Sequence, residues 1–294
     1  MNGQTTHRII DHIDALPSLP AIVSEIMNIT ADPESSAEDL MKALLPDQSM
    51  CATILKIANS AFFGLPRQVN TLEKAVMVLG FDEIRNIVLG KAVFNSFKGL
   101  KNNNREMIED FWKHCFVCGL AAKLIAEKLH LSPSEYFIAG LIHDIGKLAM
   151  LMVLGGEHSG IIDQTGLPYR QSFIREQELF SIGHDEVGYR LLNRWLFPKP
   201  LLNGIRYHHL PSKSANKTMP AILQIADFLS HLHLSPDTHP PQETINFMDD
   251  CMPDANDIWS QKELDWSSDV LTEWQKELSH SCEHNDAILT IIAS

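Results

Sequence analysis

The stretch Leu141–Met150, LIHDIGKLAM, decides how this chain is read. An adjacent His143–Asp144 pair interrupts an apolar run, and Lys147 follows four residues after His143, on the same helical face. Upstream, Ser132-Pro133-Ser134-Glu135 has the pattern of a helix start. Ser132 supplies a cap, Pro133 the first helical position, and Glu135 a capping box. Gly155-Gly156 is a stop. The pattern predicts one helix from Pro133 to about Leu154, with His143, Asp144 and Lys147 buried near its middle. Polar groups in such a place destabilise a fold unless they are partnered. A metal ion would satisfy the His–Asp pair, and an anion the lysine.

Outward from this stretch, the flanking segments keep helical spacing. Before it, a helix over about Arg105–His130 carries an inward stripe of Phe111, Cys115, Cys118, Ala122, Ile125 and Leu129. His114 lies on or beside that stripe, with Asp110 one turn earlier on the same face. Cys115 and Cys118 have the spacing of a metal or redox pair, but inside an apolar stripe they read as two small core residues. After it come a GGEHSG turn, a helix over about Tyr169–Phe180, and a helix HDEVGYRLLNRW capped by Ser181, whose inner face carries His184, Val187, Gly188, Leu191 and Trp195. LLNGIRYHH ends on His208-His209, and PAILQIADFLSHL places Asp227 one turn after Leu223. His231 and His233, on the same helix, suggest only ordinary packing. The Pro- and acid-rich residues from about Ser235 to Asn256 read as a long loop, and Trp266, Val270, Trp274 and Leu278 step by four along a last helix.

Gly99-Leu100-Lys101-Asn102-Asn103-Asn104 is the clearest linker and divides the chain into residues 1–100 and 101–294. The first half reads as packed helices. Leu16-Pro17-Ser18-Leu19-Pro20 leads into AIVSEIMNIT, Ser35 with Glu38 forms a capping box, and Pro46-Asp47 starts a segment ending at Gly64. Thr71 starts LEKAVMVLG, closed by Gly80, and Asp82 caps the segment that follows. Its polar residues look like caps and solvated faces. Strand-like alternation is absent throughout, so the fold class is all-α.

Composition narrows the function classes. A net charge of −13 argues against sequence-independent nucleic-acid binding, which depends on lysine and arginine neutralising phosphates. Five cysteines without regular spacing read as free thiols in a reducing cytoplasm. The opening MNGQTTHRIIDHIDALPSLP has no signal-peptide core, and no run of about 18 apolar residues suggests a membrane span.

In order, the inward-facing polar residues of the second half are His114, His143-Asp144, His184, His208-His209 and Asp227. Imidazole nitrogen with hard carboxylate oxygen suits Fe, Mn, Ni or Zn rather than Mg or Ca. This order resembles the ligand set of the HD superfamily of metal-dependent phosphohydrolases, and most closely its HD-GYP branch; Asp110 stands where that branch has a ligating Glu. LPSLP, PDQSMCATILKIANSAFFG and LEKAVMVLGFDEIRNIV are similar to the opening of the HDOD domain, an HD-related output domain of bacterial signalling proteins. Together the resemblances cover roughly residues 10–235.

The resemblance implies an HD-type helical bundle with an N-terminal helical half, and a site for two divalent transition-metal ions. One ion would take His114, His143, Asp144 and Asp227; the other would share Asp144 and take His184 with His208 or His209. HDOD domains are mostly non-catalytic signalling modules, whereas HD enzymes hydrolyse phosphoesters by in-line attack of water, with Lys147 on a phosphate oxygen. LPSKSANKT stands where cyclic-di-GMP phosphodiesterases carry the GYP motif, which argues against that substrate. The expectation is a regulatory module that keeps its metal site, with a phosphohydrolase as the alternative. Its partner would be a signalling protein or a small phosphorylated or nucleotide ligand. A homodimer is compatible with the sequence, and no receiver or sensor domain is expected on the chain.

Overall fold

The computed structural model describes residues 2–15, 19–60, 63–102, 105–155, 169–234 and 268–293. In chain order the helices are α1 (Asn2–Ala15), α2 (Ala21–Ala31), α3 (Ala37–Leu44), α4 (Gln48–Ala58), α5 (Leu72–Ser96), α6 (Arg105–Lys128), α7 (Pro133–Ile142), α8 (Ile145–Leu154), α9 (Tyr169–Phe180), α10 (His184–Arg194), α11 (Lys199–Tyr207), α12 (Thr218–Leu234) and α13 (Ser268–Ala293). The described residues include no strand, so the fold is all-α. They form two compact units: Ser18–Gly99 with His280–Ser294, and Met1–Pro17 with Leu100–Ser279.

In the smaller unit, α2, α3 and α4 pack against α5 and bury Val23, Ile26, Leu40, Leu44, Ile54 and Ile84. Local chemistry sets the helix starts. Asp47 accepts from the Met50 N–H at 2.9 Å and Thr71 from the Lys74 N–H at 3.2 Å, each satisfying one orphan donor and adding about 1 kcal/mol. The capping box of α3 is Ser36 with Asp39, one residue beyond the expected Ser35–Glu38 pair: Asp39 accepts from the Ser36 N–H at 3.0 Å and Ser36 Oγ from the Asp39 N–H at 3.3 Å. Gly80 interrupts α5 at φ +82°, a left-handed value that suits glycine, and matches the expected boundary there. Helix α4 ends at Ala58 rather than running on to Gly64. Two polar residues of α5, Asn86 and Lys91, are buried rather than solvated.

In the larger unit, α6 crosses α7 and α12, while α8 packs on α10 and α10 on α11. Helix α1 belongs here rather than with the N-terminal half: Ile9 and Ile13 are buried, and Arg194 donates to the Ile13 carbonyl at 3.1 Å. Two contacts bring helix backbones close enough to set the site. A Cβ on Gly140 would lie 2.7 Å from Gly119 Cα, so α7 and α6 touch backbone to backbone. A Cβ on Gly146 would run into the His184 carbonyl oxygen, so α8 meets the first turn of α10 in the same way.

The expected continuous helix over Pro133–Leu154 is instead two helices, broken at the His–Asp pair. His143 keeps helical angles, but Asp144 leaves them at φ −97°, ψ 10° and becomes the N-cap of α8. Neighbours on a continuous helix point about 100° apart; the break lets both side chains address one point. Ser132 does start α7, but it makes no side-chain cap bond, so the expected capping box does not form. The 22-residue stretch Pro133–Leu154 is long and apolar enough to cross a membrane by composition, which the sequence reading missed. Most of it is buried inside the unit, where it serves as core. The start of α10 also differs: its N-cap is Gly183, and Ser181 lies outside at φ +56°. Trp274 and Leu278 of α13 are buried as expected. Ala61-Phe62 of the ANSAFFG segment, the GGEHSG turn after Gly155, Asn103-Asn104, Trp266 and the acidic stretch lie outside the described residues.

Candidate metal centre

Five places in the fold deliver side chains to one point: His114 from α6, His143-Asp144 from the α7–α8 break, His184 from the start of α10, His208-His209 from the end of α11, and Asp227 from α12. His143, His184 and His208 are fully buried, with Asp144 and Asp227 nearly so. All seven residues of the sequence-level constellation are therefore brought together. One ligand atom each from Asp144, His184, His208 and His209 lies within 4.8 Å of the others, so both histidines of the pair reach the site rather than one. The same spacing holds for His114, His143 and Asp144, and for His143, His208 and Asp227.

Hydrogen bonds on the outer nitrogens decide the tautomers. His143 Nδ1 lies 2.8 Å from the Gly140 carbonyl and His208 Nδ1 2.6 Å from the Ile205 carbonyl. A carbonyl only accepts, so each Nδ1 carries the proton. His184 Nδ1 faces the Glu176 carboxylate at 2.6 Å, with the same consequence. The Ser230 hydroxyl donates to the Asp227 carbonyl at 2.7 Å, so its oxygen is left to accept from His114 Nδ1 at 3.0 Å. With Nδ1 anchored on all four rings, each imidazole turns its Nε2 inward, where a neutral ring offers a lone pair.

What those lone pairs meet is more acceptors. His114 Nε2 lies 3.0 Å from Asp227 Oδ1 and His184 Nε2 lies 3.0 Å from Asp144 Oδ1. His184 Nε2 is also 3.3 Å from His208 Nε2 and 2.9 Å from His209 Nε2. His143 Nε2 sits 3.4 Å from Asp144 Oδ2 and 3.5 Å from Asp227 Oδ1. Four of the buried atoms (His114 Nε2, His143 Nε2, Asp144 Oδ1 and Asp227 Oδ1) have no hydrogen-bond partner of good geometry. Acceptors this close need a cation among them, either protons or a metal.

The electrostatics point the same way. Burial opposes a charge on His143, but Asp144, Cys118 and Asp227 outweigh it and raise its pKa. Burial likewise opposes a charge on His184, yet Glu176 and Asp144 lift it to about 9. Asp144 and Asp227 are held well below the usual carboxylate range despite burial, by His143 with Lys147 and His184 in the first case and by His143 and His114 in the second. Burial pushes His208 down to about 3, and burial with the neighbouring His208 and His184 depresses His209. Without metal, protons shared among the histidines do the work of the cation. The donor set, neutral imidazoles and two anionic carboxylates, fits borderline transition ions.

Lys147 is buried and its ammonium is bonded to Asp144 Oδ2 at 2.5 Å, so the lysine is engaged by the carboxylate rather than presented to an anion. Asp110 is exposed and takes no part. Cys115 and Cys118 are core residues whose thiols burial holds protonated. Two residues escaped the sequence reading. Glu176, buried on α9, orients His184; its signal was an acid on the same helical face as Phe173 and Phe180, three residues after the one and four before the other. His231 lies one turn after Asp227, with Nε2 3.5 Å from Asp227 Oδ1, a placement readable from the four-residue spacing. His233 is ordinary, meeting Ser279 Oγ at 3.3 Å.

The HDOD domain family matches residues 16–211, a span that holds His114 through His209 and stops short of Asp227. An uncharacterized protein of Treponema pallidum (strain Nichols) is 23% identical over 221 residues, 74% of this chain and 42% of that protein. Uncharacterized protein YuxH of Bacillus subtilis (strain 168) is 24% identical over 125 residues, 42% of this chain and 30% of that protein. The chain thus spans less than half the length of these curated relatives. Among solved structures, an HDOD domain protein of unknown function from Geobacter sulfurreducens superposes with a TM-score of 0.70 at 24% identity, covering 99% of this chain and 98% of that one. A Shewanella amazonensis SB2B protein, provisionally described as a phosphohydrolase, gives 0.72 at 22% identity, covering 97% and 98%. At these identities the likeness speaks for the fold alone, while the family match covers most of the sequence. This chain belongs to the HDOD family.

Proposed function

We propose that this HDOD chain is a regulatory module of signal transduction whose larger unit keeps a two-ion transition-metal centre for structure or ligand binding. The observation that carries this reading is the cage of inward lone pairs, each anchored from behind through Nδ1. Asp144, His184, His208 and His209 would hold one ion, and His114, His143 and Asp227, with Asp144 shared, a second. Bound there, the ions supply positive charge and Lewis acidity toward a phosphate group. The chain's own residues then have defined tasks. Glu176 and the Gly140 and Ile205 carbonyls orient the imidazoles, Lys147 fixes the Asp144 carboxylate, and the surrounding apolar helices exclude water. The ligand would be a small phosphorylated or nucleotide molecule, and the output a contact with a signalling protein.

The engagement of Lys147 by Asp144 favours binding over turnover, because the ammonium at the site is already paired with a carboxylate. The complete set of ligand residues favours a second reading, a metal-dependent phosphohydrolase. Elemental analysis of chelator-free protein, paired with a phosphodiester screen, separates the two. Metal without turnover supports the module; turnover lost in Asp144→Ala supports the enzyme; absence of metal from the wild type refutes both.

A further inference from the structure

We propose that His231 is itself a metal ligand, forming with His114 and Asp227 a corner of the centre that the seven-residue constellation does not include. The inference rests on the two-ion reading above and adds a residue to it. Asp227 and His231 stand four apart on α12 and share one face, while His114 faces them from α6. His231 Nε2 is 3.5 Å from Asp227 Oδ1, His114 Nε2 is 3.0 Å from the same oxygen, and the two rings lie 4.5 Å apart at 41°. One ligand atom from each of the three residues falls within 4.8 Å of the others.

The chemistry of the corner supports ligation. The Ser230 hydroxyl fixes the proton of His114 on Nδ1, so His114 Nε2 offers a lone pair to a carboxylate oxygen that offers another. Both atoms are buried without a hydrogen-bond partner of good geometry. An imidazole arriving at the same oxygen from the next turn completes a two-histidine, one-carboxylate set, a donor combination suited to Fe, Mn or Zn with positions left open. The corner is also, like His209, one of the less buried parts of the cage. The side chain of His231 is 30% exposed and that of His114 11%, whereas His143, His184 and His208 are fully buried.

The rival role for His231 is a plain hydrogen bond to Asp227, and the test separates the two. The full-length chain is stripped with chelator and titrated with Co(II), with bound metal counted by elemental analysis and ligand field followed by visible absorption. His231→Gln keeps a hydrogen-bond donor but is a poor ligand. It should lose about one ion per chain, or bind it about tenfold or more weakly, while the ion at His184, His208 and His209 stays. His231→Cys should restore the ion and add a thiolate-to-cobalt charge-transfer band that the wild type lacks. The inference is overturned if His231→Gln binds metal with wild-type stoichiometry and affinity, or if His231→Cys folds and shows no new band. A wild type that binds no Co(II) overturns the metal reading as a whole, whereas a wild type that fills normally beside an unaffected His231→Gln overturns only the role of His231. His231 is partly exposed, so circular dichroism of both variants should match the wild type.

Discussion

Glu176 accepts from His184 twice, from the ring Nδ1 at 2.6 Å and from the backbone N–H at 2.9 Å. One carboxylate thus caps the start of α10 and fixes the tautomer that turns His184 Nε2 into the site. Removing it should free the ring and reverse the tautomer in part of the population. Glu176→Ala is expected to weaken metal binding by about 10–100-fold, with Glu176→Gln milder because its amide oxygen can still accept. Metal titration of the two variants checks the order; equal affinities in all three proteins would show that the carboxylate plays no orienting role.

Proton release on metal binding is the second expectation. In the metal-free chain His184 titrates at about 9 and His143 is also raised, so both hold protons at neutral pH that a metal must displace. Metal affinity should therefore strengthen as pH rises toward 9. Calorimetry at pH 7 in buffers of different ionisation heat should reveal protons released; identical heats would contradict the assignment.

The same shifts fix the pH dependence of apo stability. Above about 6.5 an unfolded histidine loses its proton while folded His184 keeps one until about 9, so the stabilising contribution fades across that window. On the acid side, His208 and His231 stay neutral when folded, down to about 3, but take protons when unfolded below 6.5, so stability falls there too. Asp144 and Asp227, depressed in the fold, lose their contribution at still lower pH. Metal-free protein should be most stable near pH 6.5 in denaturant titrations, and added metal should remove the alkaline decline. A metal-free optimum near pH 9 would count against the proton-filled cage.

Gly146 brings α8 against the backbone of α10. Its Cβ position runs into the backbone of α10, against the His184 carbonyl oxygen and 2.7 Å from the Gly188 N, where no flexible side chain can yield. Gly146→Ala should cost about 3 kcal/mol or more and displace His184 from the cage. Gly99→Ala, in open space, should change stability by about 0.5 kcal/mol at most. A denaturation midpoint for Gly146→Ala equal to the wild type would refute the close packing.

How far the sequence alone could reach is clear from particular residues. His114, His143 and His184 were legible because each sat on or beside an apolar helical stripe where an unpartnered imidazole is costly, whereas His208 and His209, at a helix end, stood out through the order they share with the HD superfamily. The break at Asp144 was not legible, since Leu141–Met150 has no glycine or proline before the pair and its periodicity runs through. The close contact of Gly146 with α10, which local periodicity does not encode, lies just past the break. Glu176 was hidden because an acid on an amphipathic helix ordinarily faces water, and its partner lies beyond the helix end. His231 reads as ordinary packing when taken alone; its place four residues after Asp227 is what links it to the site. The placement of α1 with the larger unit depends on long-range packing that no local pattern encodes.

The most direct test of the metal centre is elemental analysis of wild-type protein purified without chelator, beside Asp144→Ala. Asp144 touches both halves of the cage, with Oδ1 toward His184 and His208 and Oδ2 toward His114 and His143. The account predicts about two Fe, Mn, Ni or Zn ions per chain in the wild type and nearly none in the variant. Equal metal content in the two proteins, or none in the wild type, would contradict it.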